Sequence, residues 1–365
     1  MLQWILFNAA CAWFSYVVGI YYHRALNRGL CAAFIPALYS LVLVVGLLGN
    51  GLVLSVLFQL CRAWNVTDTF ILHLAVADTL LLLTLPFWAV EAAQGWIFGT
   101  GLCKVMGAIF RINFYSGIFL LACISLDRYL SIVHAVQMYS RCKPWVVQAS
   151  CLSVWLFCLL LSIPDWVFLE PVGDPRRGGN LECTHNYLRF STSAQDWRLA
   201  SRLLYHIIGF LLPSIVMVFC YSSILLRLRG SQGPQKQQAI RVILALVVVF
   251  YMNWTPFNVA LLVDTIRSSS KKETGNMCEG RVALDVSLVV TAALACLHCC
   301  LNPVLYSYLC VNFWHHLLDK QGWRSQTVTN CELSLYDQPA DPSPGHSEEN
   351  SNSNPKRAVE KSQIC

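Results

Sequence analysis

Long stretches without charged side chains are the feature that most constrains this chain. The stretch 34–60 contains no charged residue. Six further stretches contain at most one each: 69–90, 105–126, 145–169, 203–226, 242–263 and 282–310. A membrane-spanning helix needs about 20 mainly apolar residues, and runs of this length without period-two alternation favour helices over barrel strands. The sequence therefore predicts an all-α membrane protein, a bundle of seven transmembrane helices.

Composition excludes several other classes. Apolar residues make up 56% of the 365 residues and charged residues 13%, about half the charged share of a soluble domain. A cytosolic enzyme, a disordered regulator and a secreted disulfide scaffold are therefore excluded. The net charge of +6 is dispersed and forms no basic stripe, so we expect no nucleic-acid partner. No hydrolase, metalloprotease or phosphate-loop motif occurs, so we expect neither enzymatic activity nor an organic cofactor.

The chain divides into three parts: an atypically apolar N-terminal segment (1–33), the helical membrane domain (34–320) and a tail (321–365). The tail is rich in Ser, Asn, Pro and acidic residues, which predicts disorder. At 311–320, helical alternation of apolar and polar residues predicts a short amphipathic helix that contacts membrane lipid. Residues 1–22 are apolar and uncharged. They could be an eighth span, a signal peptide or an erroneously assigned start.

Orientation follows from cysteine placement rather than from the basic residues, which occur in loops on both sides. Cys103, Cys183 and Cys278 all fall on one side of the predicted membrane. Disulfides persist on the oxidising side, so we expect this side to be extracellular and the C-terminus to be cytoplasmic. Most of the other cysteines lie in apolar runs, where Cys acts as a small hydrophobe.

Four polar residues occur near the middle of separate spans: Asn50, Asp78, Asn113 and Asn302. Polar groups at this depth face the interior of a bundle and mark functional sites by default. They could form a hydrated site for a sodium ion, with Asp78 supplying the charge, or they could only hydrogen-bond the helices together. Both interpretations stay open. The cysteines and histidine of 296–300 resemble a metal cluster, but we favour packing and a histidine hydrogen bond.

Prolines and short polar motifs mark the helices further. Pro86, Pro213, Pro256 and Pro303 lie within predicted spans, where proline removes a backbone hydrogen bond and permits a hinge. The third span ends in the triplet Asp-Arg-Tyr at 127–129. The sixth contains Trp-Thr-Pro at 254–256, and the seventh ends in Asn-Pro-Val-Leu-Tyr at 302–306. Hinged helices around a polar centre describe a bundle with two packings.

With Gly49-Asn50 and Leu-Ala-Val-Ala-Asp at 74–78, these motifs resemble those of rhodopsin-like G-protein-coupled receptors over about 34–320. Thr-Leu-Pro at 84–86, DRYLSIVHA at 127–135 and LHCCLNPVLY at 297–306 are similar to the chemokine-receptor branch. The stretches 87–104 and 112–117 are most similar to the CXC receptors of type 3.

The resemblance implies a plasma-membrane receptor that binds a basic CXC chemokine outside and activates a heterotrimeric G protein, of the inhibitory class, driving chemotaxis. Receptor kinases and arrestin would act on the cytoplasmic side. Within the family, the alternative is a scavenging receptor that recruits arrestin without coupling, although the usual sign of that class, a broken Asp-Arg-Tyr triplet, is missing here. An ion channel or transporter is the alternative outside the family.

The resemblance also implies residue roles. A disulfide would join Cys103 to Cys183, and a second bridge would join Cys278 to Cys31 or Cys11. The expected ligand contacts are acids and aromatic residues at the outer ends of spans: Trp88, Glu91, Phe110, Asp165, Glu182, Phe257, Asp264 and Asp285. Sodium would be held by Asp78, Asn113 and Asn302. The expected residues of activation and G-protein coupling are Asp127, Arg128, Tyr129, Tyr221, Trp254, Pro256, Asn302, Pro303 and Tyr306. Expected phosphorylation sites are Ser325, Thr327, Ser334, Ser343 and Ser347.

Three features depart from the family pattern. Arg111 places a positive charge inside the third span, and Asn253 stands where the family has cysteine. The N-terminal segment is apolar where the family has acidic residues, which weakens the expectation that this segment captures a basic ligand.

Overall fold

The computed structural model describes residues 28–60, 66–133, 144–173, 179–190, 193–228, 234–269 and 277–309. Within these ranges, seven helical spans are long and apolar enough to cross a membrane: Ala33–Phe58, Val66–Gln94, Gly99–Val133, Trp145–Phe168, Ala194–Arg227, Ile243–Ser268 and Leu284–Tyr306. This confirms the predicted seven-transmembrane bundle. The amphipathic helix expected at 311–320, residues 1–22 and the tail lie outside the described residues.

Eleven α-helices make up the spans. The first four are α1 (Arg28–Leu60), α2 (Val66–Leu82), α3 (Leu85–Gln94) and α4 (Gly99–Val133). The fourth span consists of α5 (Pro144–Leu161) and α6 (Ile163–Phe168), and the fifth of α7 (Ala194–Leu203), a π-helical stretch (Leu204–Leu211) and α8 (Leu212–Leu228). The last three helices are α9 (Pro234–Ser269), α10 (Met277–Ala295) and α11 (His298–Leu309).

Two predicted proline hinges coincide with interruptions of helical structure. The turn at 83–84 precedes Pro86, which lies in the first turn of α3, where its missing N–H is not needed. The π-helical stretch ends at Leu211, two residues before Pro213 in α8. By contrast, Pro256 and Pro303 lie inside α9 and α11, and the seventh span is interrupted earlier, at 296–297. In two of the four spans the proline thus lies beside a change of helical structure, and hinge motion stays a prediction.

A two-stranded antiparallel hairpin follows the fourth span and was not predicted. It consists of β1 (Leu169–Gly173) and β2 (Leu181–His185), with Pro171 opposite Cys183. The disulfide between Cys103 and Cys183 is present and attaches β2 to the outer end of α4. The N–H of Trp96 also donates to the carbonyl of Leu181, at 2.7 Å. The hairpin is therefore held against the outer ends of the second and third spans.

The bundle is packed around aromatic side chains, with Phe114 of α4 fully buried at the centre. Its ring centroid lies 4.7 Å from those of both Tyr205 and Trp254. Gly117, one turn further along α4, lies so close to Phe250 that an added Cβ would approach its ring to 2.8 Å. In contrast, large apolar side chains such as Leu48 are exposed on the outside of the bundle, as expected of a surface that faces lipid.

Candidate functional site

The region beneath the β1–β2 hairpin, where the outer ends of the spans carry Trp88, Glu91, Asp165 and Asp264, is called the outer pocket below. Glu91 of α3 accepts a hydrogen bond from the backbone N–H of Cys183, at 2.6 Å. Trp88, one turn earlier, donates its indole N–H to Thr84 and packs against Trp96. These predicted ligand residues are therefore brought to one wall of the outer pocket, and one of them also holds the hairpin in place.

Asp165 of α6 is buried rather than exposed at the entrance. Its Oδ1 lies 3.3 Å from Arg111 Nε and 3.0 Å from His185 Nε2. Arg111, the departure in the third span, therefore has a carboxylate partner inside the bundle. Burial lowers the pKa of His185 despite the hydrogen bond that its imidazole donates to Asp165, so the imidazole is neutral near pH 7. Arg111 and Asp165 thus form an ion pair between the third and fourth spans.

Asp264 of α9 is also paired with basic side chains. Its Oδ2 lies 3.0 Å from Arg198 and 3.1 Å from Arg202 of the fifth span. Glu182 on β2 and Asp285 on α10 are half-buried. The predicted acids therefore reach the outer part of the bundle, but two of them are neutralised by arginines there.

Three aromatic side chains, Phe110, Trp254 and Phe257, contact one another and are called the aromatic floor below. The ring of Phe110 lies 5.5 Å from that of Trp254 and 6.1 Å from that of Phe257. Trp254 itself is fully buried. The structure therefore brings Phe110 and Phe257, two expected ligand contacts, against Trp254, which was expected to act in activation.

Asp78 lies at a fully buried polar centre below this floor. Asn302 Nδ2 donates to Asp78 Oδ2 at 2.8 Å, and Asn113 Nδ2 donates to Oδ1 at 3.3 Å. Asn50 instead donates to the carbonyls of Gly46 and Cys299. The three residues expected to hold sodium are thus within hydrogen-bonding distance, and Asn50 joins the first span to the seventh.

His298 and Cys299 complete this centre; a hydrogen bond was expected for the histidine, but not its contact with Asp78. His298 Nε2 lies 3.3 Å and Cys299 Sγ 3.4 Å from Asp78 Oδ1. His298 Nδ1 lies 2.5 Å from the carbonyl of Ala295, which can only accept. A hydrogen bond to Asp78 then requires one more proton on the imidazole or on the carboxylate. The spacing of His298 and Asn302, four residues apart, places both on one helix face and could have indicated this contact.

The end of the bundle opposite the hairpin holds a second charged pair. Asp127 Oδ2 lies 3.2 Å from Arg128 Nη2, and both side chains are buried. Arg128 also donates to the hydroxyl of Thr67, a contact that sequence reasoning missed. Nearby, Ser125 donates to the hydroxyl of Tyr221, at 3.1 Å. Arg128 is therefore held within the bundle between the second and third spans.

Some of the remaining predicted residues have described contacts, and the others lie outside the described residues. Tyr129 packs on Phe219, and the Tyr306 hydroxyl is buried without a hydrogen-bond partner in the described part of the chain. Asn253 donates to the carbonyl of Val249, one turn earlier. The side chains of Cys31 and Cys278, with Cys11 and the five tail phosphorylation sites, lie outside the described residues.

Comparison with known proteins gives concordant matches. The family model "7 transmembrane receptor (rhodopsin family)" matches residues 49–306. The C-X-C chemokine receptor type 3 of Homo sapiens is 50% identical over 281 residues, which are 77% of this chain and 74% of that receptor. The type 3 receptor of Canis lupus familiaris is 46% identical over 320 residues, 85% of each chain. The type 1 receptor of Oryctolagus cuniculus is 42% identical over 280 residues, 76% of each.

Proposed function

The chain belongs to the rhodopsin family of seven-transmembrane receptors and to its chemokine-receptor branch, and on this premise we propose that it binds a basic CXC chemokine and activates a G protein. As a member of this family it is a multi-pass plasma-membrane receptor and not an enzyme. The G protein is of the inhibitory class, the response is chemotaxis, and the C-terminal tail is cytoplasmic, where receptor kinases and arrestin act on it.

The ion pair between Asp127 and Arg128 is the observation that carries this proposal. Both side chains are buried and Arg128 has a further acceptor in Thr67, so the arginine is withheld from the cytoplasm in this packing. Releasing a buried, paired arginine is unfavourable unless it gains a new partner. A G protein that binds the released arginine therefore favours a second packing of the bundle. A scavenging receptor does not activate a G protein and therefore has no need of a buried arginine that is released to bind one.

A continuous series of contacts joins the outer pocket to the cytoplasmic half. Phe110 and Phe257 contact Trp254, and the ring of Trp254 lies 5.6 Å from that of His298. His298 reaches Asp78, which accepts from Asn302 of the Asn-Pro-Val-Leu-Tyr motif. A ligand that displaces the aromatic floor therefore changes packing that continues to this motif. Agonism requires that the ligand bind the second packing more tightly than the first.

The acids of the outer pocket supply complementarity to a basic ligand. Glu91 and Glu182 lie at the second span and hairpin, and Asp285 lies on the seventh span. Neighbouring acids raise the local concentration and association rate of a cationic partner. Because the N-terminal segment has few charged residues, recognition in this receptor depends mainly on the outer pocket.

Sodium is proposed as an allosteric ion at the polar centre. Asp78, Asn113 and Asn302 would hold it, and the buried Asn113 Oδ1 has no hydrogen-bond partner among the described residues, which fits an ion that prefers oxygen ligands. When bound, the ion supplies a positive charge beside the carboxylate.

The test is a panel of CXC chemokines applied to cells that express the wild-type receptor or Arg128→Ala, with G-protein activation and arrestin recruitment measured in the same cells. We expect at least one chemokine to activate the wild type and to bind Arg128→Ala without activating it. The matched control is Arg227→Ala, which removes an exposed arginine from the cytoplasmic end of the fifth span and should leave activation intact.

Two results would contradict the proposal. Arrestin recruitment by the wild type without G-protein activation would identify a scavenging receptor. Ligand-dependent signalling that persists in Arg128→Ala would show that this residue does not contact the G protein. Ion flux in reconstituted vesicles would instead indicate a channel or transporter.

A further inference from the structure

One wall of the outer pocket is basic rather than acidic. Arg111 uses its Nε atom to bind Asp165, at 3.3 Å. Its Nη1 atom is buried and has no hydrogen-bond partner among the described residues. A guanidinium has five N–H donors in a planar fork that matches two oxygens of a carboxylate. The pairing with Asp165 therefore leaves Arg111 with donors to spare, and 14% of its side chain is exposed.

The fifth and sixth spans bring further polar atoms to the same wall. The guanidinium carbon of Arg111 lies 4.5 Å from the ring centroid of Tyr205, whose ring is 5.3 Å from that of His206. The Tyr205 hydroxyl, His206 Nε2 and Asn258 Oδ1 are buried, and the Asn258 side chain lies within reach of both Tyr205 and His206. Buried polar groups are nearly always hydrogen-bonded in proteins. Among the described residues Arg111 Nη1 has no such partner, and Tyr205 and His206 share one amide, so these three facing helices mark a place where a polar ligand group can bind.

The local charges determine the sign of that group. Arg111 and Arg202 both lie close enough to His206 to interact with it electrostatically. With Arg198 they give three positive charges against the two carboxylates of Asp165 and Asp264. The surplus on this wall is therefore positive, opposite to the sign expected from the acids of the second and seventh spans.

We propose that Arg111, with Tyr205 and His206, forms a subsite for a carboxylate carried on an aromatic or other apolar body. The guanidinium and the Tyr205 hydroxyl donate to the carboxylate, and His206 Nε2 donates in one of its neutral tautomers. Phe257, whose ring is 6.5 Å from that of Tyr205, packs with the apolar body. The carboxylate comes from a small free acid or from the part of a peptide ligand that enters the pocket. The proposal builds on the proposed function, since both place a ligand in the outer pocket.

Direct binding to the purified full-length receptor in lipid nanodiscs tests this subsite without any signalling step. The probes are 4-fluorophenylacetate and its neutral amide, which differ in charge but hardly in shape, and binding is followed by fluorine NMR line broadening. We expect the acid to bind at least about tenfold more tightly than the amide, because a hydrogen bond to a charged group is the stronger. Asp165→Asn should tighten binding of the acid severalfold, since it removes a competing carboxylate.

Removing the charge of Arg111 must remove the preference for the acid. Arg111→Gln alone leaves Asp165 buried without its arginine and is prone to misfolding, so the decisive variant is Arg111→Gln combined with Asp165→Asn. The matched control is Lys104→Gln, which removes a positive charge from the same helix nearer its outer end, where Lys104 binds the carbonyl of Trp166. We expect the double variant to bind acid and amide equally and the control to retain the preference.

Equal binding of acid and amide by the wild type would overturn the proposal. An acid preference that survives in the double variant would also overturn it. A preference that Lys104→Gln abolishes as well would overturn it too, because it would show only a general attraction of the acid to positive charge. Adding CXC chemokines to the probe-bound receptor separates the two sources. Displacement supports the subsite with the peptide as source, and retention supports it with a small acid as source. If no chemokine binds, the proposed function fails while the probe result still stands.

Discussion

Replacing Asp127 by asparagine should raise the basal activity of the receptor. In the structure, Asp127 Oδ2 lies 3.2 Å from Arg128 Nη2, and the two side chains are 9% and 8% exposed. Asparagine has nearly the same shape as aspartate but carries no charge. The substitution therefore weakens the attraction that holds Arg128 inside the bundle without opening a cavity.

The size of the effect follows from the kind of hydrogen bond that is lost. A hydrogen bond that involves a charged group contributes about 1.5–3 kcal/mol. Arg128 stays charged and can still donate to the asparagine carbonyl, so only the attraction between the two charges is lost, which weakens the contact by about 1–2 kcal/mol. This changes a two-state equilibrium by a factor of about 5–30. If about 1% of receptors occupy the signalling packing at rest, the active fraction rises to about 5–20%.

The assay is nucleotide exchange on a purified inhibitory G protein by receptor in nanodiscs, without ligand. We expect Asp127→Asn to increase basal exchange severalfold. Thr67→Val, which removes the second acceptor of Arg128, should give a smaller increase because that bond is made to a neutral hydroxyl. The control is Asp196→Asn, which removes an exposed carboxylate at the outer end of the fifth span and should leave basal exchange unchanged.

The reasoning fails if Asp127→Asn folds, binds chemokine as the wild type does and shows wild-type or lower basal exchange. That result would mean that the ion pair is equally strong in both packings. It would then contribute to stability but not to the choice between resting and signalling states.

Three further predictions concern the outer half and the polar centre. Cys103→Ser opens the bridge to Cys183, a sequence separation of 80, and should destabilise the receptor by about 2–5 kcal/mol, seen as a lower midpoint in thermal unfolding. Burial holds the pKa of His185 below its ordinary value. Its contribution to stability is therefore complete above about pH 6.5 and is lost as the pH falls through the folded-state pKa. His185→Gln should reduce the fall of the thermal unfolding midpoint at acid pH. Asp78→Asn should abolish any sodium dependence of agonist affinity, measured by radioligand binding with sodium or choline chloride; a dependence that persists would move the ion elsewhere.

Features that depend on short stretches of sequence could be predicted well. Each span is a long, mainly apolar run with at most one charged residue, so the count of seven follows from local composition alone. Arg128 and its aspartate are adjacent in sequence, and their pairing required only that both lie on the third span. The resemblance implied the disulfide between Cys103 and Cys183, and the structure contains it.

Features that depend on packing between distant segments could not be predicted. The β1 strand contains Pro171 and Gly173, which are both disfavoured in strands, and its pairing depends on the attachment of β2 to α4. Asp165 was expected at the pocket entrance and Arg111 inside the third span, yet the two pair across a separation of 54 residues. Arg111 was recognised as a departure from the family pattern and Asp165 as a ligand contact, but their pairing could be identified only once the helices were placed.

His298 makes a hydrogen bond, as expected, but its contact with Asp78 was not identified from the sequence. An ionisable side chain inside a membrane indicates function only after its partners are known, because compensation by a neighbour can account for its presence. Here Arg111 is compensated by Asp165 on the outer side of Trp254, and Asp78 contacts His298 on the inner side. Trp254 thus lies between two charged groups, each of which joins different helices. A ligand carboxylate that competes with Asp165 for Arg111 would weaken the ion pair between these two residues. Because Phe110 and Phe257 contact Trp254, a change in the outer pocket would also alter the packing of this tryptophan. The proposed subsite and the series of contacts below it therefore describe a single route by which an acidic ligand group could alter the packing around Asp78.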